Sequence, residues 1–444
     1  MWRWCGVWAG AILPVVAQTW FPVAGVEPFV HRILCPPEDP RMVIVCADSF
    51  PPVAEVWRSN IQFFGGHGFR VSTDSGRTFG EARLVGFSVR DILPLPGASR
   101  TWLAAVAEVA TGGVVISSDA GQTWQWTGNP RCGAFVERLA VRWGRNPVFL
   151  AAVLNTNQGY RVSRDTFATC AGDPSFPVQA RDIAVRGDTV YLAADGYLAG
   201  GVWRSTDDGR TWQKDSVGLG ELRIWCVVSS RHQPGVLLCG ADSLISATQS
   251  VGRGIYRSED GGKTWRLVGA PGVRVMAIAE HPLDPRYWVA AGDTTGVWVS
   301  GSYGTAWELH SDGLPPGIPV RTVALPAWPT TEGVVAFAGL TGGGLYRSRP
   351  IVTSVTSPAP VQSKIAVLRA TPSALTISYS FPEGDTVWWE IVDVLGRRVA
   401  QSSARWRAVG QETWELPVSL LPGWYALRGV GRHHTQVAPF VLVP

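Results

Sequence analysis

The chain has 444 residues, longer than one ordinary domain unless a single large β architecture takes up most of it. It carries 50 glycines and 32 prolines, nearly one residue in five against about 12% on average, and a hydrophobic fraction of 46%, a balance that speaks for many short strands and against long helices. Only 17% of residues are charged and the net charge is +4, which excludes a disordered chain and a polybasic nucleic-acid binder.

Residues 1–17 read as a secretory signal. Arg3 supplies the positive start, Val7 to Val16 the apolar stretch, and Val15-Val16-Ala17 a small-residue cleavage site. That stretch is too short to span a bilayer, and no later segment reaches about 18 uninterrupted apolar residues, so no transmembrane segment is expected. The expected location is secreted or attached to the outer surface. Cys5 leaves with the signal, so six cysteines remain for an oxidising compartment.

An internal repeat follows. Ser72-Thr-Asp74-Ser-Gly76-Arg-Thr78 returns as Ser117-Ser-Asp119-Ala-Gly121-Gln-Thr123-Trp124, as Ser205-Thr-Asp207-Asp-Gly209-Arg-Thr211-Trp212 and as Ser258-Glu-Asp260-Gly-Gly262-Lys-Thr264-Trp265. Degraded copies begin at Ser163 and Ser300, and a seventh start, at Ser348, breaks off at Pro350. The seven serines are spaced 46 residues apart on average, the length of a four-stranded blade. The pattern Ser-x-Asp-x-Gly-x-Thr-Trp resembles the Asp-box (BNR, sialidase-like) repeat over residues 18–350. The resemblance implies a seven-bladed β-propeller in which the boxes are structural hairpins between strands three and four. Ser and Asp side chains bind nearby backbone N–H groups, and Gly accepts positive φ at the tip. Gln18-Thr19-Trp20 matches the end of a box, so the N-terminal strand is expected to close the seventh blade and remove the free edge.

In strand one of each blade an arginine recurs: Arg32, Arg90, Arg138, Arg181, Arg223, Arg274 and Arg321. These are expected near one mouth of the central channel, opposite the boxes. The plainer role for them is inter-blade packing, stacked on an aromatic or paired to an acid; the functional one is a site for an anion or an acidic partner. Trp57, in the loop from Asp48 to Gly68, adds a recognition residue on the same face, and the loop from Asp242 to Arg253 is the other long connection there. The spacing predicts disulfides Cys35–Cys46 and Cys226–Cys239, with Cys132 and Cys170 left to flank blade three. No metal-ligand spacing is present and no cofactor is expected.

Residues 351–364 have linker composition, and alternating segments across 365–444 predict a small Ig-like β-sandwich. Ile391-Val-Asp-Val-Leu-Gly396-Arg-Arg-Val399, Leu421-Pro-Gly423-Trp-Tyr425-Ala-Leu-Arg428 and Pro439-Phe-Val-Leu-Val443 resemble the C-terminal sorting domain (type A) of type IX secretion cargo, with Thr371-Pro372 in place of the family's opening Asn-Pro. The resemblance implies that the type IX machinery is a partner.

The family likeness leaves activity open, since Asp-box propellers include sialidases, xyloglucanases, sortilin-type receptors and photosystem assembly factors. Arg32-Ile33-Leu34 resembles the sialidase Arg-Ile-Pro, but the same arginine recurs in every blade, so it marks no single catalytic blade. Known xyloglucanases use two propellers around a cleft, whereas this chain has repeats for one. Asp48, Asp195, Asp242 and Asp293, which follow strand two, are candidate carboxylates for glycoside hydrolysis, with turn formation as the plainer role. No catalytic residue is assigned. The expected function is non-enzymatic binding of a glycan, an anionic ligand or a protein partner at the cell surface; the alternative is an extracellular glycoside hydrolase using carboxylates at the channel mouth.

Overall fold

The computed structural model describes residues 18–442 apart from 50–65, 354–363 and the shorter stretches 96–99, 108–111, 129–131, 134, 145, 155–158, 173–175, 177–178, 197–199, 215–216, 246–248, 332, 372, 382–384, 394–396, 402–404, 408–409 and 431–434. The signal reading and Trp57 therefore lie outside the described residues. The described residues form no helix, and none is long and apolar enough to cross a membrane.

Residues 20–348 fold into seven antiparallel sheets of three or four strands. The first strands, in chain order, are Phe29–Leu34, Val89–Pro94, Val136–Arg142, Gln179–Arg186, Arg223–Ser229, Val275–Glu280 and Val320–Ala324, and they define sheets 1 to 7. Each first strand touches the next and the seventh touches the first, so the sheets close in a ring around a central channel. The apolar core is divided among the gaps between sheets. Val30, Val43 and Ala47 of sheet 1 pack on Ala324, Phe337 and Leu345 of sheet 7, and similar clusters fill the other gaps.

The ring is closed by its own N-terminus. Trp20–Val23 pairs antiparallel with Gly344–Ser348, so sheet 7 draws strands from both ends of the repeat region. Trp20 is fully buried, and its indole N–H donates to the His310 carbonyl at 2.7 Å.

The box turns are closed by their own side chains. In the first, Ser72 Oγ donates to Asp74 Oδ1 (2.7 Å) and accepts the Gly76 N–H (2.9 Å), while Asp74 accepts the Thr78 N–H (2.9 Å) and hydroxyl (2.6 Å). The same bonds recur around Ser117, Ser205 and Ser258, and the indole N–H of Trp124 or Trp265 donates to the box glycine's carbonyl. Gly76 sits at φ 73°, and a Cβ there would lie 2.6 Å from the Phe337 ring of sheet 7. The tip thus needs glycine twice over, for its backbone and for its approach to the preceding sheet.

Residues 364–442 form a three-stranded sheet (Lys364–Ala370, Ala374–Phe381, Gly410–Pro417) and a second sheet centred on Asp385–Asp393 and Gly423–Val430. Leu375 from the first and Trp389, Ile391 and Leu427 from the second share one apolar core.

The structure corrects two disulfides. Cys132–Cys170 is formed, with sulfurs 2.06 Å apart, but Cys35, Cys46, Cys226 and Cys239 are free thiols. Cys46 pairs across the sheet with Arg32, three positions from Cys35 and so about 10 Å along the strand. Cys226 pairs with Gly240 and Cys239 with Val227, one step apart, which points their side chains to opposite faces of sheet 5.

Two stability predictions follow from these closures. Trp20→Ala should cost about 3–5 kcal/mol in urea unfolding, the range for truncating a buried aromatic. Ser258→Ala, which leaves the buried Gly262 N–H without an acceptor, should cost about 1–3 kcal/mol. A loss below about 0.5 kcal/mol for either would show that closure does not depend on that side chain.

Candidate functional site

The arginine-bearing mouth is shaped by a β-bulge that every sheet repeats. In each first strand one residue is skipped in the pairing with strand two: His31, Arg90, Glu137, Arg181, Trp225, Met276 and Arg321. A bulge re-aims its side chain and increases local twist. The seven arginines therefore occupy three registers. Arg90, Arg181 and Arg321 are the bulged residues themselves, Arg32 and Arg138 come one step later, and Arg223 and Arg274 come before the bulge. This corrects the expectation of one equivalent arginine per blade: the side chains start from three backbone positions and divide between the channel and its mouth.

One step past the bulge, the ring reads Arg32, Asp91, Arg138, Asp182, Cys226, Ala277 and Thr322, alternating in charge over sheets 1 to 4. Arg32 Nε donates to Asp91 Oδ1 at 3.2 Å, and Arg138 faces Asp182 at 3.7 Å. Each aspartate also accepts a backbone N–H from the following sheet, Asp91 from Leu139 (3.0 Å) and Asp182 from Val227 (3.1 Å). These carboxylates pin neighbouring first strands together. Burial raises the Asp182 carboxyl above its usual range despite the charges of Arg138 and Arg32. A cavity of about 430 Å³ runs along the channel past Arg32, Arg138 and Asp182 on one side and Met276, Ala277 and Val323 on the other.

Over sheets 1 to 3 the mouth is sealed by a buried network. His31 Nε2 donates to Asp48 Oδ2 (2.8 Å), Ser88 Oγ donates to the same oxygen (2.6 Å), and Arg90 donates to His31 Nδ1 (2.8 Å). Burial and the charge of Arg90 bring the His31 imidazole down to about 4, so it is neutral at physiological pH. Burial opposes ionisation of Asp48, but the bonds from His31 and Ser88 and the charge of Arg90 outweigh it and hold the carboxyl at about 2. Serine, histidine and aspartate thus meet without forming a nucleophilic triad, because Arg90 occupies the imidazole nitrogen that a serine would need. Glu137 lies 3.8 Å from Arg90, and the charges of Arg90, Arg321, Arg138 and Arg181 outweigh its burial and keep it ionised.

Over sheets 4 to 6 the mouth is partly open. An alternating chain runs from Arg181 to Asp195 (2.7 Å), Arg223 (3.7 Å), Asp242 (2.8 Å), Arg274 (3.1 Å) and Asp293 (3.2 Å). Trp225 lies beneath it, with the Arg181 guanidinium 3.9 Å from its ring centroid and Arg274 at 5.4 Å. The segment expected as a loop from Asp242 to Arg253 is largely a two-stranded ribbon, with Leu237–Leu244 pairing Ser250–Ser258 and Ile245 and Val251 exposed at its lip.

Sequence reasoning had singled out Asp48, Asp195, Asp242 and Asp293, and the structure places each against a cationic or histidine partner. It had missed Asp91, Glu137 and Asp182, although the adjacent pairs Arg90-Asp91, Glu137-Arg138 and Arg181-Asp182 signalled local charge matching. His67 is a loop residue whose N–H is held by Asp48 (2.9 Å). Six of the seven arginines thus lie against a carboxylate: Arg32 on Asp91, Arg90 near Glu137, Arg138 near Asp182, Arg181 on Asp195, Arg223 on Asp242 and Arg274 on Asp293. Among the described residues no group of three metal-ligating side chains is present.

No protein-family model matches the chain. Among curated proteins, a 91-residue stretch is 28% identical to a vacuolar protein sorting/targeting protein 10 of Laccaria bicolor, and a 181-residue stretch is 26% identical to the xyloglucanase Xgh74A of Acetivibrio thermocellus. These matches use 20% and 35% of this chain, which spans 6% and 20% of the two relatives' lengths. Solved structures extend the likeness. YCF48 bound to D1 peptide matches with a TM-score of 0.50 at 12% identity, over 75% of this chain and 98% of that one. An ancestral GH74 enzyme matches with a TM-score of 0.52 at 14% identity, over 96% and 64%.

The fold is a β-propeller. At such identities the likeness is one of architecture, and the side chains at the mouth must carry any statement about chemistry. At the opposite end of the propeller channel, Glu280 is buried and accepts bonds from Ser230 Oγ and the Arg231 N–H. Burial pushes its carboxyl up to about 7. A carboxyl whose folded value is raised contributes stability below its unfolded value near 4.5 and loses that contribution as pH rises through about 7. Buried His31, His232 and His281, all lowered, act in the opposite sense at acid pH, so the difference between wild type and Glu280→Gln isolates the effect. The Gln variant should gain about 2–3 kcal/mol relative to wild type between pH 4.5 and 8 in denaturant titrations. A difference that stays flat with pH would refute the assignment.

Proposed function

We propose that the chain is an exported, non-catalytic seven-bladed Asp-box propeller, and that the open half of its mouth binds a polypeptide partner. The observation that carries this reading is the state of the carboxylates. Asp195 lies between Arg181 and Arg223, Asp242 takes both its oxygens to Arg223 and one to Arg274, and Asp182 is spent on backbone N–H groups and Arg138. A glycoside hydrolase needs one carboxyl free to deliver a proton and another free to attack or to activate water. No such pair is free at this mouth among the described residues.

The same pairing redefines the ligand. With most of its arginines already held by acids, the mouth is a poor site for a bare anion, so the simple anion site expected from the arginines alone gives way to a partner bearing both charges and apolar groups. The Trp225 stack, the partly exposed Arg274 and Asp293, and the apolar lip of Ile245 and Val251 supply a mixed surface of that kind. That the similarly folded YCF48 has been solved bound to a D1 peptide supports this reading. In this reading the C-terminal sheets are the type IX sorting module and residues 1–17 the signal for export, with the chain secreted or held at the outer surface.

A second reading keeps the glycoside hydrolase, on the strength of the 26% identity to a xyloglucanase over 35% of the chain. A screen of the full chain against a peptide library and against xyloglucan separates the two. The binding reading expects saturable peptide binding that weakens about tenfold or more in Trp225→Ala and Ile245→Asp, the range for interface anchors, with no turnover of xyloglucan. Turnover of any glycan would overturn it.

A further inference from the structure

The propeller has a second set of arginines, outside the mouth, and these have no acids. A groove of about 660 Å³ lies at the outer rim between sheets 7 and 1, bordered by the closing strand Phe21–Ala24, the box turn Gly76–Arg77 and Arg347–Pro350. Arg77, Arg347 and Arg349 all line it. Arg347 stacks over Trp328 (4.9 Å to the ring centroid) and Arg349 over Phe21 (4.8 Å), which holds both guanidiniums in place without neutralising them. Among the described residues none of the three has an ion pair. The Arg347 Nε is buried without a hydrogen-bond partner, and burial and the like charge of Arg77 both lower its guanidinium. Asp74, whose charge opposes that lowering, makes no ion pair with the groove and spends its oxygens on Ser72, Thr78 and the turn's own N–H groups.

The repeat supplies an internal comparison. The equivalent groove between sheets 3 and 4, about 570 Å³, is lined by Arg164, Asp208, Gly209 and Arg210. There Asp208 binds Arg142 (2.5 Å) and Arg164 (2.9 Å), and Asp188 lies 3.4 Å from Arg142, so both guanidiniums are paired. Arg164 and Arg349 hold the same place, directly after the first box serine, and Asp208 and Ser75 hold the same place in the next sheet's box, at φ 63° and 66°. Where one groove has an aspartate the other has a serine, so the seam groove keeps its charge.

We propose that the seam groove binds the sulfate or carboxylate groups of an acidic polysaccharide. Unpaired, stacked guanidinium forks are suited to oxoanions, which they take in bidentate fashion. Pro22, in the strand that borders the groove, has no N–H, so an extended peptide cannot add to that edge as a further strand. An anionic glycan needs only the side-chain forks. The site is separate from the mouth and stands whether or not the mouth binds a partner.

The test uses the full chain with heparin as the sulfated probe, polygalacturonate as the carboxylated one and poly-glutamate as the peptide control, by calorimetry at low salt. Ser75→Asp installs the aspartate that the sheet 4 turn already accommodates, so the fold is retained and one of the groove's three positive charges is offset. Either polysaccharide should bind wild type, about tenfold or more weakly to Ser75→Asp and Arg349→Glu, and within about twofold of wild type to Arg210→Glu and Trp225→Ala. Equal binding of poly-glutamate would overturn the glycan assignment. No binding of either polysaccharide, or binding unchanged in Ser75→Asp, would overturn the site.

Discussion

Ring closure is the constraint on which the rest of this molecule depends. No sheet of the propeller has a core of its own: the apolar clusters lie between neighbouring sheets, so each sheet is stable only when both its neighbours are present. An open row would leave two apolar faces and an unpaired edge in water. Trp20–Val23, pairing with Gly344–Ser348, removes both faults with four residues. That strand lies more than 300 residues from its partner in sequence, so the pairing is non-local, and it is secured by burial of Trp20 and the cluster shared by sheets 7 and 1.

Closure also sets the charge pattern inside. The alternation Arg32, Asp91, Arg138, Asp182 stops after four sheets and is followed by Cys226, Ala277 and Thr322. A ring of seven cannot alternate sign all the way round, since an odd count forces two like charges into contact. Small neutral residues over sheets 5 to 7 avoid that contact, and on that side the channel is lined by Met276, Ala277 and Val323. The mouth on the same side solves the problem differently, with an open chain from Arg181 to Asp293 that need not close on itself. Two ion-pair systems at different depths thus divide the ring between them.

The sequence was most legible where structure is local. Ser72, Asp74, Gly76 and Thr78 make a turn from their own side chains within seven residues, so the pattern can be read without knowing what surrounds it, and the same holds for the other strong boxes. Gln18-Thr19-Trp20 was legible for the same reason. The mouth was harder, because a bulge slips the register by one while an arginine side chain is long enough to hide the slip. Arginines from three registers look equivalent in sequence but divide between the channel and its mouth. The cysteines have no such reach: one register step moved Cys226 and Cys239 to opposite faces, and three separated Cys35 from Cys46. The candidate carboxylates were visible individually. Their pairing was not, because it joins residues 14 to 32 positions apart, within a sheet for Arg181–Asp195 and across two sheets for Arg274–Asp242.

The contrast between the two sets of arginines shows what repetition does for such a fold. Seven copies of one unit offer seven equivalent places at each position of the blade, and the backbone at each is already fixed by the box turn and the bulge. A single side chain then changes the electrostatics without disturbing the scaffold: Asp208 pairs two arginines at its groove, and Ser75, at nearly the same φ, leaves the arginines of the corresponding groove without a carboxylate partner. At the mouth most arginines are paired with a carboxylate of their own or the neighbouring sheet, so charge there serves cohesion, and removing one partner would leave the other uncompensated. At the seam Arg347 and Arg349 are held by Trp328 and Phe21 with no ion pair among the described residues, and the repulsion between Arg77 and Arg347 works against the folded state. Charge that destabilises the fold where a one-residue remedy is already present elsewhere in the same chain is better explained by a ligand than by packing.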